Sequence, residues 1–146
     1  MSTVKLIYCR SRTIGGILIR LGQWWDQWNH CAIVGETGKT VLHARAFKGV
    51  VEEPIDEFLA RYTKYDVVDC EIPDKKAFYE FARAQLGKKY DYGSIVTFIT
   101  NKIGIKESPN RLQCAEYVEL CRIKGGRSVF RVSPSTITPS QSYKVK

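Results

Sequence analysis

The stretch His30-Cys31-Ala32-Ile33-Val34-Gly35-Glu36-Thr37-Gly38-Lys39-Thr40-Val41-Leu42-His43-Ala44 decides how the rest of the chain is read. Two β-type runs, His30 to Val34 and Thr40 to Phe47, flank Gly35-Glu36-Thr37-Gly38, whose turn chemistry joins them as a hairpin. A hairpin fixes which side chains share a face. With Glu36-Thr37 as a two-residue turn, His30 lies opposite His43; with Thr37-Gly38 as the turn, His43 faces Ala32, which shares His30's face. A three-residue loop would put the two on different faces. In either two-residue register both imidazoles emerge on one side of a sheet, and they are the only 2 histidines in the chain.

Working outward, Val4 to Cys9 is an apolar run that suits a buried strand. Ile14, Ile17, Leu18, Leu21 and Trp25 recur at helical spacing behind the caps Ser11 and Thr13, so residues 13–25 read as an amphipathic helix with Trp24, Trp25 and Trp28 crowding its end. Gly49 to Glu53 continues the sheet, and Pro54 opens a short helix whose Ile55, Phe58, Leu59 and Tyr62 form one apolar stripe. Lys64 to Ile72 reads as a strand. Pro73-Asp74 then starts a helix with Ala77, Phe78, Phe81, Ala82 and Leu86 inward, stopped by Gly87. Tyr92 to Ile103 has a helical pattern, and a last helix carries Cys114, Tyr117, Val118 and Cys121 on one face before Gly125-Gly126. Ser133 to Ser142 reads as an ordered loop or a loose tail. The mixed order is that of an α+β chain, and with no repeat or linker to split it, residues 1–146 are expected to form one domain.

Composition narrows the class. A chain of 146 residues with 44% hydrophobic and 26% charged content can close a real core. Its longest apolar stretch, Ile14 to Leu21, is broken by Gly15, Gly16 and Arg20, far short of the roughly 18 uncharged residues of a membrane span. The N-terminus lacks the basic, apolar and cleavage regions of a secretory signal, which gives the expectation of a cytoplasmic protein, with export by a leaderless route left open. Five cysteines without a repeated CxxC pair argue against a disulfide framework and a zinc knuckle. The net charge of +8 is spread along the chain and interleaved with Glu52, Glu53, Asp56 and Glu57, and no helix-turn-helix, zinc-finger or RNP pattern accompanies it. Specific nucleic-acid binding is therefore not expected, although a basic module for nucleic acid or an anionic surface is the competing class of function.

Two imidazoles side by side can bind a metal, sit as satisfied polar packing, or serve as base and orienter for a nucleophile. A metal needs further ligands, and Cys31 points away from His30 by strand alternation, so none is expected. The candidate nucleophile is Cys114. A thiol in the first turn of a helix feels free N–H groups and the positive end of the helix dipole, both of which favour the thiolate. Its spacing with Tyr117, Val118 and Cys121 equally suits an ordinary core cysteine, and periodicity does not choose between the two.

The surrounding residues do carry a resemblance. His30-Cys31-Ala32-Ile33-Val34, Val41-Leu42-His43-Ala44, Gly49-Val50 and Gln113-Cys114-Ala115-Glu116-Tyr117-Val118, with Gly87-Lys88-Lys89-Tyr90-Asp91-Tyr92-Gly93 and Ser133-Pro134-Ser135, resemble the circularly permuted branch of NlpC-type, papain-like cysteine hydrolases, which includes YiiX-like and lecithin:retinol acyltransferase-like proteins. In that branch the histidine strand precedes the cysteine helix. The resemblance implies an antiparallel sheet packed against the cysteine helix, with Cys114 as nucleophile, His30 as general base and His43 as its orienter. It also implies an oxyanion donor at Tyr90, for which Tyr92 could substitute. The tryptophan cluster that includes Trp28 packs the helix end, the commoner use of such residues, or lines an apolar substrate wall beside His30. Ala115 and Gln113 depart from the family's common serine and aspartate, so neither inherits that role. The implied reaction is acyl transfer through a thioester, without metal or organic cofactor. Its substrate would be a small amide or peptide, peptidoglycan-type peptides included, or, for an acyltransferase or esterase, a lipid.

Overall fold

The computed structural model describes residues 1–10, 28, 30–45, 48–90, 111–112, 114–128 and 139–144, the side chains of residues 90, 111, 112, 140 and 141 excepted. Strands β1 (Ser2–Arg10), β2 (His30–Val34), β3 (Thr40–Arg45), β4 (Gly49–Pro54) and β5 (Lys64–Ile72) form a sheet in the order β4-β3-β2-β1-β5. Every neighbouring pair is antiparallel. Four helices, α1 (Ile55–Leu59), α2 (Lys75–Ala84), α3 (Cys114–Lys124) and α4 (Pro139–Lys144), and a short parallel ladder of β6 (Lys89–Tyr90) with β7 (Arg111–Leu112) complete the described elements. The expected helices over 13–25 and 92–103, together with Trp24, Trp25, Gln113 and Ser133-Pro134-Ser135, lie outside the described residues.

Side-chain alternation gives the sheet two apolar faces. Leu6 and Tyr8 of β1, Cys31 and Ile33 of β2, Leu42 and Ala44 of β3 and Cys70 and Ile72 of β5 pack with Phe78 and Ala82 of α2 and Cys114, Tyr117, Val118 and Cys121 of α3. On the other face Ile7, Cys9, Ala32, Val34 and Val41 are covered by Phe58 of α1, with Ile55, Leu59 and Tyr62 around it. The β2–β3 register pairs Ile33 with Leu42 and Val34 with Val41. This is the Thr37-Gly38 alternative, and a wider loop closes it: the Gly35 N–H donates to the Thr40 carbonyl at 2.8 Å and the Gly38 N–H to the Gly35 carbonyl at 2.9 Å. Gly38 takes φ 75°, a left-handed conformation that glycine enters without steric cost.

Two sequence readings need correction. Leu86, expected inside, is 41% exposed, because α2 ends at Ala84 and the chain turns at Gly87 with φ 91°. Tyr79 takes an inward place instead, and its hydroxyl donates to the Val34 carbonyl at 2.8 Å. Finally, the end of the Ser/Thr/Pro-rich stretch is helical. In α4, Ser142 is buried with its Oγ 2.8 Å from the Tyr8 hydroxyl, Arg122 Nη1 donates to the same Oγ at 3.3 Å, and the Tyr143 hydroxyl donates to Asp66 at 2.7 Å.

Candidate active site

His30 is the first residue of β2 and pairs with Cys9 of β1, so it stands at the end of the sheet, where a side chain can reach past the edge toward either face. Continuing the β2–β3 register by one pair places His43 opposite Ala32, on His30's face. The rings meet: His30 Nε2 lies 2.9 Å from His43 Nδ1. On its far side His43 Nε2 lies 3.1 Å from Glu53 Oε1. Glu53 reaches it diagonally from β4, where Val51 is the residue directly opposite His43.

This chain of contacts fixes where the protons sit. A carboxylate only accepts, so His43 Nε2 carries the proton and donates it to Glu53. His43 is fully buried, and its basicity is lowered to about 2, first by burial and then by the charges of His30, Arg61 and Arg45. It is therefore neutral, which leaves Nδ1 as an acceptor. His30 Nε2–H must then donate to His43 Nδ1, and His30 presents Nδ1 on its free side. Glu53 is itself held by Arg45 Nη1, which donates to Oε2 at 3.3 Å, and by Arg61 Nη2, which donates to Oε1. Aromatic packing sets the ring planes: Phe58 meets His43 edge-on at 4.8 Å between centroids, and Tyr62 stacks on His30 at 5.7 Å with planes 7° apart.

Cys114 approaches from the opposite face as the first residue of the 11-residue α3, where the unpaired N–H groups of the first turn favour negative charge. It is 2% exposed. Its thiol is held well below the ordinary range, chiefly by a hydrogen bond from the Cys31 thiol, and further by the charge of His30, a hydrogen bond with His30 and the backbone N–H of Cys31, all against the opposing effect of burial. Cys31 moves the other way, well above the ordinary range, because it is buried and faces Cys114. Burial followed by the Cys114 charge pushes Cys9 up as well. One sulfur in this cluster is thus arranged to carry the negative charge.

The structure brings Cys114, His30 and His43 together. The backbone of Tyr90 also runs close: β6 pairs Tyr90 with Leu112, two residues before Cys114. The Tyr90 side chain and all of Tyr92 lie outside the described residues. Trp28, for which packing and a substrate wall are the two readings, packs against Tyr143 of α4. It is 3% exposed, its ring lies 5.2 Å from that of Tyr143, and Lys64 Nζ sits 5.6 Å above it. Sequence reasoning missed Glu53 and Cys31. Alternation of Val51 and Glu53 on the face of His43 was the available signal for the first. The second was set aside because it faces away from His30, although that direction points it at Cys114.

An antiparallel sheet with an imidazole at a strand end, a thiol opening the helix packed on that sheet, and the histidine strand earlier in the chain than the cysteine helix defines a papain-like arrangement with permuted connectivity. The chain belongs to the permuted papain-like amidase family, YaeF/YiiX, C92, whose model matches residues 6–121. A crystal structure of the metalloprotein yiiX from Escherichia coli O157:H7 shares the fold, with a TM-score of 0.59 and 22% identity over 82% of this chain. The match spans 63% of that protein's length. No curated protein matches the sequence. For a metal, the described residues are a poor fit: His43 uses one ring nitrogen on His30 and the other on Glu53, which leaves no lone pair for a ligand bond. Among the described residues no three His, Cys, Asp or Glu side chains converge as a ligand set. Among them, too, no helix is long and apolar enough to cross a membrane.

Proposed function

We propose that the protein is a cysteine-dependent amidase that works through a thioester on Cys114. The observation that carries this reading is the proton order of the His30, His43 and Glu53 chain, which leaves His30 Nδ1 for the one sulfur held as a thiolate. In the forward half-reaction the Cys114 sulfur attacks the amide carbonyl carbon, and the carbonyl oxygen becomes an oxyanion. The backbone N–H of Cys114 and the Tyr90 hydroxyl are the proposed donors to it. His30 Nδ1–H then protonates the departing amine, the C–N bond breaks and a thioester remains. Water then attacks the thioester carbonyl carbon while His30 Nδ1 takes its proton, the new C–O bond forms, the C–S bond breaks to return the Cys114 thiolate, and the acid leaves. His43 keeps the His30 ring oriented without itself exchanging a proton, as its lowered basicity requires. Glu53 holds His43 in the needed tautomer.

The substrate class is an amide of a small molecule or peptide, peptidoglycan-type peptides among them. All five cysteines are free thiols, which suits work in a reducing compartment. The test is acyl labelling: an amide- or ester-based acylating probe should label the wild type at Cys114 and fail to label Cys114→Ala while that variant melts as the wild type does. Equal labelling of Cys114→Ala refutes the assignment. Turnover of lipid esters with no turnover of any amide would move the protein to the lipid-directed acyltransferase or esterase alternative. Salt-sensitive nucleic-acid binding without acyl labelling would move it to the basic-module alternative.

A further inference from the structure

We propose that Cys31 is a resolving thiol for Cys114: oxidation of Cys114 by a hydroperoxide closes a reversible Cys31–Cys114 disulfide that silences the site and spares it from irreversible oxidation. The proposal deepens the reading of Cys114 as the reactive sulfur. Its geometric basis is the position of β2 under the first turn of α3. Cys31 and Ile33 are the β2 residues on the α3 side, and Cys31, Tyr8, Cys114 and Ala115 belong to one packed cluster. Cys31 approaches the Cys114 sulfur twice, with its own thiol and with its backbone N–H as donors. A bridge needs Cα atoms about 4.4–6.8 Å apart, a requirement compatible with two thiols already in hydrogen-bond contact.

The other three thiols are placed differently. Cys9 belongs to the apolar cluster under α1, on the opposite face of the sheet. Cys70 is engaged by Glu71 and Arg127 near the far end of β5. Cys121 lies about two turns along α3 from Cys114, too far for a bridge. Cys31 is 0% exposed, so it is not itself the first target of an oxidant; Cys114, which must meet substrate, is.

The chemistry balances with hydrogen peroxide as oxidant. The Cys114 thiolate attacks one peroxide oxygen, the S–O bond forms as the O–O bond breaks, and the other oxygen leaves as water after taking the proton of His30 Nδ1–H, giving a sulfenic acid. The Cys31 sulfur then attacks the Cys114 sulfur, the S–O bond breaks, and hydroxide leaves with the Cys31 proton as a second water. Two thiols have lost two electrons, and one peroxide has become two waters. With no nearby thiol, the sulfenic acid would continue to sulfinic and sulfonic acids, which thiol reductants do not reverse.

The experiment treats wild type, Cys31→Ala and Cys31→Ser with hydrogen peroxide, maps peptides without reduction, and then measures acyl labelling of Cys114 before and after dithiothreitol. Each variant is normalised to its own untreated signal. The expected result is a peptide pair joined through Cys31 and Cys114 in the wild type, with loss of labelling that dithiothreitol restores. Both variants should instead accumulate sulfinic or sulfonic Cys114 and stay unlabelled. Cys31→Ser keeps a buried hydrogen-bond donor, so it reports on bridging should the alanine variant fail to fold. A wild type that yields only oxyacids, or a bridge from Cys114 to Cys9, overturns the proposal; so does full recovery of the Cys31→Ser variant. The two readings separate cleanly. A bridge seen by mapping in a protein whose Cys114 accepts no acyl group sinks the amidase mechanism and leaves the thiol pair standing, while acyl labelling without a bridge does the reverse.

Discussion

Glu53→Ala is the substitution that tests the relay most directly. The carboxylate accepts from His43 Nε2 at 3.1 Å, and its side chain is only 12% exposed. Removing it leaves a buried N–H with no acceptor and leaves Arg45 and Arg61 without their shared anion. His43 then gains nothing by keeping its proton on Nε2. If the proton moves to Nδ1, that nitrogen meets the donor Nε2–H of His30 at 2.9 Å, donor against donor, and the His30 ring turns away from Cys114. A hydrogen bond to a charged group is worth about 1.5–3 kcal/mol, and each 1.36 kcal/mol is tenfold in rate, so kcat/KM should fall about 10- to 150-fold. Most of the loss should appear in kcat, since Glu53 touches no substrate. Glu53→Gln keeps an acceptor oxygen for His43 but turns an amide N–H2 toward the arginines, so its loss should be the smaller, about 3- to 10-fold. The assay is steady-state amide hydrolysis combined with the alkylation rate of Cys114 at pH 6, on protein shown by its melt to be folded. Activity of Glu53→Ala within twofold of wild type, or a loss confined to KM, would refute the reasoning.

Three further outcomes can be measured independently. Iodoacetamide should modify Cys114 nearly as fast at pH 6 as at pH 8, with Cys9, Cys31 and Cys121 unreactive in the folded protein; the drop of about 75-fold expected of an ordinary thiol over that range would show that Cys114 is not held as thiolate. His43 is buried neutral, with its basicity lowered from 6.5 to about 2, so the unfolded chain binds the extra proton and stability must fall as pH drops below 6.5. Its share of that fall is about 1.4 kcal/mol per pH unit, and His43→Gln should flatten the urea-unfolding profile between pH 6 and 4 by about one proton; an unchanged slope contradicts the burial argument. Gly49 has φ 78°, and a Cβ there would lie 1.9 Å from the Lys88 carbonyl oxygen, whereas Gly38, with φ 75°, would meet nothing within 4 Å. Gly49→Ala should therefore cost about 2–4 kcal/mol and Gly38→Ala about 1 kcal/mol, and equal midpoint shifts in urea would count against the close approach of β4 to Lys88.

The hairpin was legible because its turn residues and its alternation each limit the register, and the two limits agree on one face for both histidines. Only the wider loop around Thr37 and Gly38 had to be supplied by the structure. The strand at Lys64–Ile72 was legible from the alternation of Val68, Cys70 and Ile72, and the helix at Cys114–Lys124 from the spacing of Cys114, Tyr117, Val118 and Cys121 and its glycine stop, although the helix also buries Glu119 and Arg122, which no apolar period marks. Leu86 was misplaced because the apolar period runs one turn beyond the helix, and the turn before Gly87 rather than the hydrophobic pattern decides where the side chain goes. The α4 helix was illegible for a tertiary reason. Its Ser142 is buried by a hydrogen bond to Tyr8, 134 positions away, and no local rule makes a serine a core residue.

Alternation rules describe the middle of a sheet, where a residue belongs to one face or the other. The site is at the end of β2, and there the rule changes meaning. Cys31 was set aside because it faces away from His30, which is correct along the strand. At the strand's first residue, however, His30 is not confined to its own face, so a side chain on the α1 side can meet a sulfur that belongs to the α3 side. Adjacent residues of opposite orientation then converge on one atom: Cys31 from beneath with its thiol and backbone N–H, and His30 from beyond the edge. A dipeptide at a strand end can therefore surround a nucleophile in a way that no dipeptide in mid-strand can. This explains why the histidine that anchors the relay sits where β2 begins, and why the residue after it matters for the same chemistry.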